Sequence, residues 1–439
     1  MIDMYWAASA IFFAYIICYL RTGPLHPVGF LCINMFVWFA LKFLYYHYNG
    51  FSHSLVSSED AFYFSGEYLL LFMCTIAVTH GLWSVFTPNL PVVEVKPRFS
   101  FLYLNFAAIA VLPLIGVAAG GADVLFHPAA LRVAIEHGGL YYFSQLYLFS
   151  GIAGAVECAK SRRRKKTLYF FAINLFLALL LARASYIFTL YIAYLTYDAV
   201  VNRKPHYLQL LGGGAVLALL AVFLLIYRNA AESNSDLSQV AVRAWDVMFS
   251  GGLDRVLYLV ISREEQWETF TRLVEELRLG HLAHDPWFPI YALVQFVPRG
   301  LWPDKPPLFT TLMTGYFSPK VLASGAANNY TGLGELLYSY GPPGIVIAGV
   351  ISGFFFHYVS YLCRVARTRS DVFFWLFLVV ANYMGLSIFT GYFNDYAIPS
   401  TLLNLVLLAV TCRLSVFRPP LPAGSSQPHG APAPESSVP

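Results

Sequence analysis

Charged side chains are scarce in this chain. Asp, Glu, Lys and Arg together make up 12% of its 439 residues, whereas an average soluble domain carries about a quarter. Hydrophobic residues fill 58% of the positions and aromatic residues 17%. That balance excludes an ordinary soluble globule and points to a polytopic membrane protein. Also missing are a P-loop, a Rossmann glycine fingerprint and a G-x-S-x-G turn, so ATP-driven and serine-hydrolase chemistries lose support. The net formal charge is only +4, and the basic residues are scattered over short segments instead of forming one stripe, which excludes nucleic acid as a partner. The six cysteines, Cys18, Cys32, Cys74, Cys158, Cys363 and Cys412, all fall within or at the ends of apolar runs. Such placement suggests neither a disulfide framework nor a zinc site, and they read as packing residues.

What the chain has in abundance is long apolar runs. Lipid offers no partner to a free backbone amide, so a spanning segment is a helix or part of a closed barrel, and continuous runs of about 17 to 25 residues select helices. Measured against the bilayer, spans are expected near 4–20, 28–46, 66–87, 100–120, 140–158, 167–183, 184–201, 207–227, 342–362, 372–390 and 396–412. The fold class is therefore an all-α polytopic membrane protein of about eleven transmembrane helices. Within 167–201 the only charge before Asp198 is Arg183; two short helices joined by a tight turn are expected there, with one long helix as the rival. The first run lacks a positive flank and a small-residue cleavage site, so it reads as a span and not as a signal peptide.

Cations in short loops set orientation. Arg21, Lys96 with Arg98, the run Ser161 to Lys166, Arg203 with Lys204, Arg364, Arg367, Arg369 and Arg413 fall on one side, which is expected to be cytoplasmic. The other side receives 47–65, 121–139, the Arg183 turn, 228–341 and the Gly391 to Asp395 loop. This divides the chain into helices 1–8 (1–227), a large outward loop (228–341), helices 9–11 (342–417) and a disordered cytoplasmic tail (418–439) rich in Pro, Ala and Ser. Inside the loop, Asp236 to Phe249 and Glu264 to Leu279 show helical spacing, the second with Trp267, Phe270, Leu273, Val274 and Leu277 on one stripe. They read as amphipathic helices on the membrane surface or the bundle. From Asp285 to Tyr330 prolines and glycines predict an extended, loop-rich cap.

The residues able to carry chemistry gather on the outward side. Arg183, between two apolar helices, is costly unless it faces a polar cavity or snorkels to headgroups. Arg228 ends the next span and Arg255 follows Asp254; a guanidinium fork suits phosphate, although each serves equally as an ion-pair partner. In PRGLWPDKPP (298–307) four prolines stiffen the backbone around Arg299, Trp302, Asp304 and Lys305. Trp302 either buries the segment or lies on a sugar face, and Arg299 with Asp304 forms either a clamp or a local ion pair. Glu335, in TGLGELLYSYG (331–341), is the best general-base candidate, placed near the water interface just before a span; its other reading is a helix N-terminal carboxylate. His281, His284 and Asp285 have a spacing that suggests a metal site, but no third strong ligand lies nearby. No metal and no cofactor are expected. Lys42, Glu67 and Glu157 read as near-interface residues, and His80 and His357 as interhelical hydrogen-bonders.

At PRGLWPDKPP and TGLGELLYSYGPPG the chain resembles the Wzy-type O-antigen polymerases, bacterial oligosaccharide repeat-unit polymerases whose large periplasmic loop carries a Pro-Arg with Trp-Pro-x-Lys-Pro and then a Gly-Glu before a span. Arg183 also looks like the arginine those proteins place between two central spans. The resemblance implies a GT-C-like membrane glycosyltransferase in the bacterial inner membrane, working at the periplasmic face. It would transfer a growing glycan from undecaprenyl diphosphate to a lipid-linked repeat unit, without a nucleotide sugar and without the DxD pair of metal-dependent glycosyltransferases, which this chain lacks. On that view Arg183, Arg299 and Glu335 are catalytic, Glu335 as the base. Arg228, Arg255, Lys305, Trp302 and Tyr338 hold the diphosphate and sugar. The implied partners are undecaprenyl-diphosphate-linked oligosaccharides, inner-membrane lipid and a chain-length regulator protein. One departure is that the Arg-x10-Gly motif of some members follows none of the outward arginines. The alternatives are an O-antigen ligase, which passes finished glycan to a lipid A core, and a lipid-linked oligosaccharide transporter, which would need charges along a midplane path.

Overall fold

The computed structural model describes residues 59–86, 90–120, 141–180, 184–201, 212–213, 215–216, 219–220, 223, 242, 246, 266–294, 302, 304–323, 330–376, 379 and 398–417. The expected spans 4–20 and 28–46 lie outside them, and 207–227 and 372–390 are described only in part. Where the two can be compared, apolar runs and helices coincide: α1 (Glu59–Phe86), α2 (Phe101–Gly120), α3 (Tyr141–Ser161), α4 (Arg164–Leu180), α5 (Ala184–Val201), α10 (Pro342–Ala366) and α11 (Ile398–Thr411). Within 167–201 the described residues form two helices, α4 and α5, and the turn expected between them lies outside the described residues. Among the described residues two helices are long and apolar enough to cross a bilayer, Tyr63–Phe86 and Pro342–Ala366. Their outward surfaces carry exposed Val78, Leu82, Val85, Ile347, Ile351 and Phe354. An apolar surface of that kind is stable against lipid and not against water.

α1 and α10 pack along their lengths, and the reason is a pair of small residues. A side chain at Gly349 would meet Thr75 Cβ at 2.6 Å and at Gly353 would strike Thr79, so the G-V-I-S-G spacing lets the backbones approach. Lipid is as apolar as leucine, so close packing and interhelical hydrogen bonds hold such helices together. The α2–α3–α4 group uses the second device. Tyr147 donates to Asn174 Oδ1 at 3.0 Å, and Asn174 Nδ2 donates to Asn105 Oδ1 at 3.0 Å, all buried.

At the end where α1, α10 and α11 finish, the cationic loops meet. β1 (Val92–Pro97) pairs antiparallel with β2 (Cys412–Phe417), Glu94 opposite Ser415 and Lys96 opposite Arg413. This ribbon is an addition to the all-α expectation, made by segments more than 300 residues apart. Glu94 takes Lys96 at 3.1 Å and Arg369 at 3.3 Å, while Lys160 reaches Asp371 at 3.1 Å. Glu157 pairs with Lys166 at 2.8 Å and accepts from Ser100 Oγ and the Phe101 N–H, which fastens the start of α2. Of the loops grouped by their charge, the described ones around Lys96, Ser161 to Lys166, Arg369 and Arg413 are thus in mutual contact.

Candidate functional site

The opposite end, where α1 and α10 begin, carries the described parts of the 228–341 segment. Its amphipathic stripe becomes α6 (Gln266–Arg278), with Trp267, Phe270, Leu273 and Val274 buried. It rests on the bundle: Thr271 donates to Ser65 Oγ at 2.9 Å, and the Arg278 guanidinium lies 3.0 Å from the centre of the Phe64 ring. The cap after Asp285 is more regular than its prolines suggested. It contains a 3-10 turn at Phe288–Val294, α7 (Phe309–Phe317) and α8 (Pro319–Ala323). The four-residue spacing of Phe309, Met313 and Phe317 buries one face of α7, a period hidden by the breakers around it. These side chains close a small core with Leu273, Phe288, Tyr330 and Tyr338, in which Phe288 meets Tyr338 edge-on at 5.8 Å.

TGLGELLYSY forms α9 (Thr331–Tyr340), in which residues 331–339 are all buried. Three features lock it. A side chain at Gly334 would stand 3.1 Å from Leu273 Cδ2, so α9 fits closely on α6. Gly341 turns the chain at φ 65°, ψ −151°, a region open to glycine alone, with His284 3.6 Å from where a side chain would project. Beyond the turn, a side chain at Gly344 would strike the Leu336 carbonyl oxygen, which leaves α10 seated on the last turn of α9.

Glu335 is 0% exposed. That corrects the expectation of a carboxylate at the water interface: the helix carrying it is sandwiched by α6 and α10, so its acid is sealed inside the protein at the foot of the cap. Tyr338, three residues on and therefore on the same stripe, is 8% exposed. Burial first, then the neighbouring Asp285 and Tyr291, pushes its phenol above the ordinary tyrosine value, so it stays protonated and able to donate. Trp302 is 39% exposed, and its carbonyl accepts from the Lys305 N–H at 3.2 Å, closing a tight turn that leaves Asp304 exposed and Lys305 half-buried. Arg183, Arg228, Arg255 and Arg299 lie outside the described residues, as does Lys42. The structure therefore joins Glu335 and Tyr338 on one helix and holds Trp302 and Lys305 in one turn.

The other candidates take structural partners. His281 Nδ1 lies 2.9 Å from Glu276, and His284 Nδ1 lies 2.8 Å from the Tyr338 carbonyl oxygen, tying the HLAHD loop to the end of α9. Asp285 accepts from the Trp287 N–H at 3.0 Å. No metal-binding cluster occurs among the described residues. His80 and His357 come together with ring centres 6.1 Å apart. Two elements escaped sequence reading. Glu268, also buried at 2%, sits on the polar side of the α6 pattern, where nothing in the spacing distinguishes it from a solvated acid. The second is the Gly349/Gly353 contact, whose small-xxx-small signal is legible in the sequence.

No family model matches the chain, and no solved structure matches it. Curated proteins do. An O-antigen polymerase of Salmonella typhimurium is 24% identical over 332 residues, covering 71% of this chain and 74% of that protein. The O-antigen polymerase of Salmonella typhi gives the same identity and coverage. The resemblance read from PRGLWPDKPP and TGLGELLYSYGPPG thus extends along most of the sequence, and the chain is similar to the O-antigen polymerases.

Proposed function

We propose that this protein polymerises polyprenyl-diphosphate-linked oligosaccharide repeat units at the periplasmic face of the bacterial inner membrane. The observation that carries the reading is the setting of Glu335. It is a fully buried carboxylate on a helix clamped between cap and span, in a chain similar to O-antigen polymerases over 71% of its length. In the reaction the bond between the donor's anomeric carbon and the diphosphate oxygen breaks. A bond forms from that carbon to a hydroxyl of the acceptor sugar, whose proton passes to Glu335. The departing diphosphate carries the electron pair, and Arg183, Arg228, Arg255, Arg299 and Lys305 are assigned to stabilise it. Because Glu335 is closed off by α6 and α10, the acceptor hydroxyl reaches it only when the packing around α9 opens, and Tyr338 and Trp302 offer a donor hydroxyl and a stacking face for sugar. Polymer length would be set with a separate chain-length regulator.

The test is display of surface polysaccharide in cells whose own gene is deleted and replaced by variants. Arg299→Ala and Glu335→Gln are each expected to abolish long chains, leaving single repeat units on the surface lipid and normal protein levels; unchanged chain length in both retires the assignment. A deletion strain that accumulates long lipid-linked glycan would instead identify a ligase, and one that retains units on the inner leaflet a transporter.

A further inference from the structure

The residue that opens α9 holds a backbone conformation that side chains seldom adopt. Thr331 sits at φ 59°, the left-handed region, where a branched Cβ is a genuine outlier. Arg162 is the other non-glycine residue with positive φ among the described residues, and it lies in an exposed turn. Thr331 is buried at 1% exposure and lies four residues before Glu335. Such strain persists only where the surroundings over-determine it, and here they do. Before it, the Tyr330 ring stacks on Phe317 at 5.5 Å and its hydroxyl donates to the Met313 carbonyl at 3.3 Å. After it, Thr331 Oγ1 accepts from the Gly334 N–H at 3.1 Å, satisfying a first-turn amide in the manner of an N-cap. Gly334 in turn fits against Leu273 of α6. The left-handed turn therefore fixes the rotational phase of α9. With 100° per residue, any change of phase that lifts Gly334 off α6 turns Glu335, the next residue, by the same angle away from its place between α6 and α10.

We infer that Thr331 is a positioning residue for Glu335: its strained backbone and its hydroxyl cap together set the angle at which α9 presents the carboxylate. The inference rests on Glu335 being the base of the proposed reaction. It predicts a split between two kinds of substitution. Thr331→Asn tolerates the left-handed conformation and keeps a side-chain oxygen for the Gly334 N–H, and Thr331→Ser keeps the hydroxyl; both should stay within about threefold of the parent. Thr331→Val keeps shape and strain but removes the acceptor.

The experiment is polymer formation by the purified full-length protein in detergent or nanodiscs, with a lipid-linked repeat unit as substrate, read as kcat, KM and the pH dependence of kcat, with the thermal midpoint of each variant beside them. For Thr331→Val a fall in kcat of about tenfold or more is expected, with KM within about threefold and the acid limb of the kcat profile displaced, and with rescue by Asn and Ser. Parental kcat in Thr331→Val overturns the inference. So does a loss that tracks the thermal midpoint alone with no change in the pH profile. Glu335→Gln measured alongside separates the two levels: full activity there removes the base assignment itself, whereas an inactive Glu335→Gln beside a normal Thr331→Val defeats only the positioning role.

Discussion

The two ends of the α1–α10 pair are built by opposite means. At the end holding the ribbon, Glu94, Lys96, Arg369, Lys160, Asp371, Glu157 and Lys166 pair in partly exposed networks. At the cap end the helix carrying the candidate base is held by aromatic rings, by glycines with no room for a side chain, and by hydrogen bonds to backbone carbonyls. The charged end tolerates adjustment because exposed ion pairs are weak and screened. The cap end does not, since a close-packed contact fails over fractions of an ångström. A site that must hold one carboxylate at one angle belongs at the second kind of end.

That contrast can be broken most severely at the α9–α10 corner. Gly344→Ala places a methyl group against the Leu336 carbonyl, and a loss of about 3 kcal/mol is expected, seen as a lower thermal midpoint in detergent and loss of polymer. Next comes the best-anchored group of the charged end. Glu157→Ala strips partners from Lys166, Ser100 and the Phe101 N–H, for a loss of about 2 kcal/mol. Because salt screens the parent's Glu157–Lys166 pair, the difference from the parent should narrow at high ionic strength, while that of Gly344→Ala should not. Gly334→Ala is milder: the neighbouring Leu273 Cδ2 must give way by a few tenths of an ångström, at about 1 kcal/mol, yet kcat should fall more than stability because Glu335 is the next residue. A Gly334→Ala enzyme with parental kcat would show that α9 has slack.

The smallest effect belongs to Glu94. A hydrogen bond from Lys96, with lesser help from Ser415 and the charges of Lys96 and Arg369, holds its carboxyl below the ordinary range. A lowered folded value means that its contribution is present above the unfolded value, about 4.3, and is lost as pH falls through the folded one. Glu94→Gln should therefore leave the thermal midpoint nearly unchanged at neutral pH. It should slightly flatten the loss of stability on acidification; an effect matching that of Glu157→Ala would contradict the ranking.

The helices α1 to α5, α10 and α11 were legible because each follows an uninterrupted apolar run, and the run states its own length. The α6 stripe was legible for the same kind of reason. α7 was not, because its three anchors stand among prolines and glycines that speak for loop. Of the site, the TGLGE string drew attention to Glu335 and Tyr338, but its sealed position, the Thr331 turn and the buried Glu268 depend on neighbours supplied by α6 and α10.

By itself, then, the sequence determined the apolar, helical character of the chain and an expectation of sidedness: hydropathy marked the long helices and the scatter of Lys and Arg grouped the loops, because both are sums over local composition. Tertiary structure alone decided that β1 would find β2 across more than 300 residues, that the cationic loops would meet, and that Glu335 would be shut inside α6, α9 and α10. Those outcomes turn on contacts between distant segments, and the energy of a contact is written in neither partner's sequence alone.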